Sequence, residues 1–404
     1  MRRVSLDDRR LHTHCEWQVD DNAYSPDNER HGDTMELNAR SHGVDLLRGT
    51  AILLVLILHF HLTYRLDVLP FDLPWLADAI RAVARNGNYG VTMFFTVSGY
   101  LITSTSLRRF GSPRGIRFAT FYRFRAARIL PCLLLVLAIM VALALLGLRS
   151  FVDKPGTVSL PVAVLSVLTF WHNVLMARVG YFNYAMNILW SLSVEEVFYL
   201  GFPLVFAWLR RPRYIAWWLL VPIVFAPVYR YWHRDDEIVA LYGYWACFDA
   251  IAMGCCVALM PGVRMRREWR LVLQGVAIGA MAITYLCGPI MRHVVWGVSV
   301  MALGSAVLLV CFRIGQEEGR QAASSWVPRV IRWFGQRSYE LYLFHIVVLG
   351  VLREYLTRES IGVHAKPLWL VAYAGLAALV AGGVFRWFSE PVNRALRRDG
   401  DLPV

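Results

Sequence analysis

The sequence is poor in charge. Of its 404 residues only 18% are Asp, Glu, Lys or Arg, against 57% hydrophobic, and its mean hydropathy is +0.44. Soluble domains carry about a quarter charged residues, so a water-soluble globule is excluded, and so is a disordered chain. Its seven cysteines (Cys15, Cys132, Cys247, Cys255, Cys256, Cys287 and Cys311) form no CxxC pair and no metal spacing with His. Most lie in apolar runs, which excludes a disulfide scaffold and reads as packed thiols, with no metal site expected. There is no P-loop and no Rossmann glycine pattern, which disfavours ATP or NAD as ligand. No internal repeat, heavily polar second domain or secretory signal is visible.

What the chain has instead is long apolar runs. Stretches of spanning length, about 20 residues each, fall near 45–64, 89–107, 128–148, 187–209, 214–232, 240–260, 271–290, 293–313, 338–356 and 367–388. An eleventh candidate, 158–177, is interrupted by Pro161, His172 and Asn173. With ten spans and the N-terminus inside, cytoplasmic segments hold 30 of the 42 Lys and Arg; an eleventh span would leave 21 on each side. The positive-inside rule therefore predicts an all-α membrane protein, a bundle of about ten transmembrane helices with both termini cytoplasmic. Residues 149–186 become a long outer loop, 1–43 a disordered polar cytoplasmic tail, and 395–404 a second cytoplasmic tail. The net charge of +13 follows from the same rule and implies no nucleic acid.

Ionisable residues inside lipid are expensive, so each invites a functional reading. On the first span Arg48 and His59 are eleven residues apart and share a face, about 16 Å apart along the axis. His61 points the other way. Glu195 and Glu196 lie side by side on the fourth span, with Ser191 on the face of Glu195 and Glu195 at nearly the depth of His59. A His and a carboxylate at one depth can act as a base and its orienting partner; the alternatives are satisfied packing or a buried ion pair. Ser98 comes to a similar depth on the second span, where small residues otherwise read as close packing. On the ninth span Ser338, Tyr342 and His345 align; His345 either lines the same cavity or bonds a neighbouring helix. Between the second and third spans stand Arg108, Arg109, Arg114, Arg117, Arg123, Arg125 and Arg128, without one lysine. Arginine without lysine suits bidentate phosphate recognition, although topology and anionic headgroups account for most of the seven.

Taken in order, Leu-Arg48-Gly…His59, Gly90-Val…Ser98-Gly99, Arg125-x-x-Arg128-Ile-Leu-Pro131, Trp190-Ser-Leu-Ser-Val-Glu195-Glu-x-Phe-Tyr199 and Ser338-Tyr339…Tyr342-Leu-x-His345 resemble the acyltransferase 3 family of integral-membrane O-acyltransferases, and Ser389-Glu390-Pro391 is similar to its closing Glu-Pro. The resemblance covers 44–394. It implies a multi-pass protein of the cell inner membrane. Such a protein would move an acyl group, commonly acetyl, from coenzyme A to a hydroxyl of a sugar, polysaccharide, lipid or other metabolite. It assigns His59 and Glu195 to catalysis and Arg48, Arg125 and Arg128 to acetyl-CoA; beside these, Ser98, Ser191, Tyr339 and His345 are candidate cavity residues from their own positions, and whether Glu195 or Glu196 partners His59 stays open. Two departures matter. Arg123-Phe-Arg125 stands where the family often has adjacent arginines, and no appended esterase-like domain is present, so the membrane part is expected to act alone. The His-x-x-x-x-Asp signature of soluble acyltransferases is absent, with Tyr64 in the fifth position after His59. A proton-coupled exporter is the rival reading, disfavoured by the lack of paired inverted repeats and matching broken helices.

Overall fold

The computed structural model describes residues 41–68, 73–317 and 326–398. Of the expected N-terminal tail, residues 1–40 lie outside the described residues, as do 399–404 at the other end. Among the described residues every regular element is helical. In chain order these are α1 (His42–Tyr64), α2 (Pro74–Arg85), α3 (Asn88–Phe110), α4 (Phe118–Leu145), α5 (Leu160–Leu168), α6 (His172–Val179), α7 (Trp190–Leu209) and α8 (Pro212–Trp232). There follow α9 (Glu237–Tyr242), α10 (Tyr244–Leu259), α11 (Arg267–Leu286), α12 (Val294–Glu317), α13 (Trp326–Gln336), α14 (Ser338–Tyr355), α15 (Lys366–Val384) and α16 (Glu390–Arg398).

Eight helical stretches among the described residues are long and apolar enough to cross a membrane. They are α1, α4, α7, α8, α9 with α10, α11, α12 and α15 with its continuation to Arg397. The other two expected spans form α3 and α14, of 23 and 18 residues. Their polar residues (Thr92, Thr96 and Ser98; Glu340 and His345) turn inward rather than to lipid, and this lowers their hydropathy. Leu134, Leu204, Val224, Val276, Leu303 and Leu379 are exposed on the outside, the inverse of a soluble surface. This is a multi-pass membrane protein.

The interrupted stretch 158–177 is two short helices, α5 and α6, with Phe170 between them at φ 62°. The arginine segment departs from expectation. Helix α4 begins at Phe118, so Arg123, Arg125 and Arg128 lie on a helix and not in a loop. Aromatic packing draws it out: Phe121 stacks on Phe202 of α7 at 5.6 Å, and the Tyr122 hydroxyl donates to the Leu200 carbonyl at 2.6 Å. Arg125 and Arg128 are thereby fixed at i and i+3 on one face.

Backbones touch where glycine leaves room. A Cβ on Gly99 of α3 would strike the Ile251 carbonyl of α10, and one on Gly254 of α10 would strike Thr96 O of α3. Such small-residue contacts stand in for hydrophobic burial inside lipid.

Candidate active site

The site is built where α1, α3, α4, α7 and α14 converge. His59 Nδ1 lies 2.8 Å from the Val55 carbonyl, one turn back on α1. A carbonyl only accepts, so Nδ1 carries the proton and Nε2 presents a lone pair. His345 of α14 meets it edge-on, with ring centroids 4.9 Å apart. His345 Nδ1 likewise donates to Leu341 O at 3.0 Å, which leaves its Nε2 to accept from His59 Nδ1 at 3.4 Å. His61 is buried and faces Asp67 at 3.9 Å, away from this pair.

Glu195 does not meet His59. His59 turns toward α14, whereas Glu195 turns toward α3 and α4, where Ser98, Arg125 and Arg128 act on it, joined by Arg48 of α1. The Ser98 hydroxyl bonds the Tyr199 hydroxyl, one turn beyond Glu195 on α7. Arg125 lies over the Tyr199 ring at 4.3 Å. Glu196 keeps Oε1 buried and without a partner among the described residues, and Glu195 is the carboxylate that faces Ser98. Between histidines and carboxylate stands Tyr342. Its hydroxyl donates to Ile188 O at 2.7 Å and so accepts from Ser191 at 2.6 Å, while its ring lies 5.9 Å from His345. Tyr339 donates to Ile129 O at 2.8 Å, tying α14 to α4.

Arg48, Arg125, Arg397 of α16 and Glu340 all act electrostatically on Arg128, and the Glu340 carboxylate already accepts from Ser389 at 2.6 Å. Neither Arg125 nor Arg128 has a hydrogen-bonded carboxylate among the described residues. His59, Phe94, Ser98, Glu195, Arg125 and Arg48 are each partly accessible, and Arg128 is exposed. These residues lie on α1, α3, α4 and α7, the helices that carry His59, Ser98, Arg125 and Glu195. Among the described residues no three His, Cys, Asp or Glu side chains could hold a metal.

On the far side of the histidines Thr63 donates to His59 O at 2.9 Å and accepts from Tyr184 at 2.7 Å. Arg353 lies over the Tyr184 ring at 4.6 Å. Asp67, beyond the end of α1, is buried, which alone would raise its carboxyl, yet Arg65 and Arg81 hold it well below the ordinary carboxylate range. Sequence reasoning passed over Arg230 and Asp249. These pair at 2.8 Å with both side chains fully buried, and Arg230 also reaches Ser299 at 2.5 Å, Ala246 O at 2.5 Å and Val295 O at 3.3 Å. Two ionisable groups inside expected spans were the signal for them.

The profile of the acyltransferase domain matches residues 41–387. The O-acetyltransferase OatA of Staphylococcus aureus (strain NCTC 8325 / PS 47) is 23% identical over 371 residues, covering 87% of this chain and 57% of that protein. A putative O-acetyltransferase of S. aureus (strain COL) is 24% identical over 344 residues, covering 80% of this chain and 53% of its own length. The chain thus spans little more than half the length of the curated relatives it matches. No solved structure matches. With that profile running through the helices that carry His59, Glu195, Arg125 and His345, the chain belongs to the acyltransferase 3 family.

Proposed function

We propose that the protein is a membrane O-acetyltransferase of the cell inner membrane. It moves an acetyl group from acetyl-CoA to a hydroxyl of a carbohydrate, glycan or glycolipid, with His59 as general base. The observation that carries this reading is that converging helices hold the guanidiniums of Arg125 and Arg128 on α4 and a histidine with a free Nε2 lone pair on α1; the proposed passage runs between them. The donor's phosphates fit the arginine end, because Arg125 and Arg128 offer N–H forks that no carboxylate among the described residues takes up. An extended pantetheine arm covers the roughly 16 Å from the level of Arg48 to His59. This places the arginines at the cytoplasmic face, with ten spans and both termini inside.

In attack, His59 Nε2 takes the acceptor's hydroxyl proton as that oxygen bonds to the thioester carbonyl carbon. The tetrahedral centre collapses, the C–S bond breaks, and the imidazolium returns the proton to the thiolate, releasing coenzyme A as its thiol. Val55 O and His345 Nε2 hold the Nδ1 proton throughout, so His345 takes the orienting role that the sequence assigned to Glu195. Glu195 balances the charge of Arg125 and, through Ser98 and Tyr199, fixes the waist of the passage. Thr63, Tyr184 and Arg353 form the acceptor's rim, where a tyrosine ring suits the C–H face of a sugar.

Release of free thiol from acetyl-CoA, in membranes supplied with acceptor, tests the reading. His59→Ala lowers the rate about 100-fold or more at unchanged protein level, while His61→Ala has a smaller effect. Wild-type release in His59→Ala rejects the base assignment.

A further inference from the structure

We propose that Phe124 and the three guanidiniums around it, Arg109, Arg123 and Arg397, form a subsite for the 3′-phosphate of the coenzyme A donor, with Arg397 as the residue that discriminates it. The inference rests on the donor reading above and deepens it. Arg109 lies 3.6 Å from the centre of the Phe124 ring, and Arg123 and Arg397 lie at 5.4 Å each. A ring holds a guanidinium by its face and leaves the in-plane N–H fork for an anion. The Nε atoms of both Arg123 and Arg397 are buried and have no hydrogen-bond partner among the described residues, a cost that a ligand oxygen removes.

The nearby carboxylates are already engaged. Glu390 is held by Arg394 at 2.8 Å, and Glu340 accepts from Ser389. Arg123 and Arg397, whose Nε atoms lack partners among the described residues, stand on one ring near Arg125 and Arg128, a concentration of positive charge that an anion relieves. Phe124 and Arg125 are neighbours on α4 and point about 100° apart. Helix α4 therefore presents two anion positions on adjacent faces, one on the line of Arg125 and Arg128 and one at Phe124. That pattern matches a ligand with a diphosphate and a separate monophosphate. Arg397 also reaches across to Arg128, which joins the two positions. It comes from α16, beyond residue 387 where the family match ends, so this half of the subsite is supplied by a segment outside the matched region.

The same chemistry would also take a phosphate headgroup of a lipid, and the experiment separates the two sources. Purified protein in neutral detergent, supplied with soluble oligosaccharide and extracted membrane glycolipid as hydroxyl acceptors, is assayed for thiol release with acetyl-CoA and with 3′-dephospho-acetyl-CoA, then again with added phosphatidylglycerol. The wild type prefers acetyl-CoA by about tenfold or more in kcat/KM, as expected for charge-assisted phosphate contacts. Arg397→Gln brings that ratio close to one by raising KM for acetyl-CoA alone, with kcat kept, and Arg397→Lys restores part of the preference. Arg123→Gln gives the same direction and covers the case in which Arg397→Gln does not purify as a folded protein. An unchanged ratio in both glutamine variants, or no preference in the wild type, overturns the subsite. A change only in the response to phosphatidylglycerol also overturns it, in favour of a headgroup site. Absence of thiol release from either donor by the wild type rejects the acyltransferase reading itself.

Discussion

Two groups of arginines sit within this bundle, and they are kept in opposite ways. Arg230 is fully buried and satisfied, with Asp249, Ser299, Ala246 O and Val295 O around its guanidinium. Arg128 is exposed among helices that surround it, has no hydrogen-bonded carboxylate among the described residues, and is pressed by Arg48, Arg125 and Arg397. A buried charge must be neutralised by protein or by ligand, whereas an exposed one can keep its water. The first arginine belongs to the architecture of α8, α10 and α12. Arg128 has no such set of hydrogen-bond partners among the described residues, which suits it to the donor role proposed above.

Substitution separates the two groups. The largest effect belongs to Arg230→Met, which leaves the buried Asp249 without its counter-charge, held only by Ser299 and the Ala250 N–H. It costs about 3–5 kcal/mol and shows as loss of the thermal unfolding transition in detergent; pairing it with Asp249→Leu recovers most of the folded protein. Arg128→Gln moves the unfolding transition little, because no partner is orphaned, while KM for acetyl-CoA rises about tenfold. If Arg128→Gln unfolds the protein as Arg230→Met does, the division between architecture and ligand site is wrong.

Gly254→Ala tests the packing that brings α3 to α10. A Cβ there meets the Thr96 carbonyl, and overpacking of this kind costs about 1–3 kcal/mol, read as a lower unfolding temperature with KM nearly unchanged.

The smallest effect concerns acid and the outer loop. Burial lowers His172 from the ordinary imidazole range to about 4, with a Met186 backbone hydrogen bond opposing. The folded His172 therefore refuses a proton that the unfolded chain accepts. Its loop is fully stable above pH 6.5 and loses stability as pH falls from 6.5 toward 4. Hydrogen exchange in 149–186 should quicken across that window, and His172→Phe should flatten the response.

The helices and the places of His59 and Glu195 within them were legible because lipid makes polar residues conspicuous in an apolar run, whereas Arg125 and Arg128 were read as loop residues. Pairing between helices was not. His345 and Glu195 were both candidates to meet His59, and one-dimensional depth could not tell α14 from α7 as its neighbour. Phe121 and Tyr122, which extend α4 back to Phe118, read as loop residues because their partners Phe202 and Leu200 lie some 80 residues away. Arg230 and Asp249 were visible as charges inside expected spans, yet only their contact shows that they cancel.

The division of labour along the passage is tested most directly by equilibrium binding of acetyl-CoA to the purified protein, without acceptor. Titration calorimetry should give His59→Ala the donor affinity of the wild type within about twofold, because the base acts only in the chemical step. The double variant Arg125→Gln/Arg128→Gln should bind about 100-fold more weakly, each lost charge-assisted contact contributing about tenfold. Wild-type affinity in the double arginine variant, at an unchanged unfolding temperature, would contradict a donor site at the arginine end.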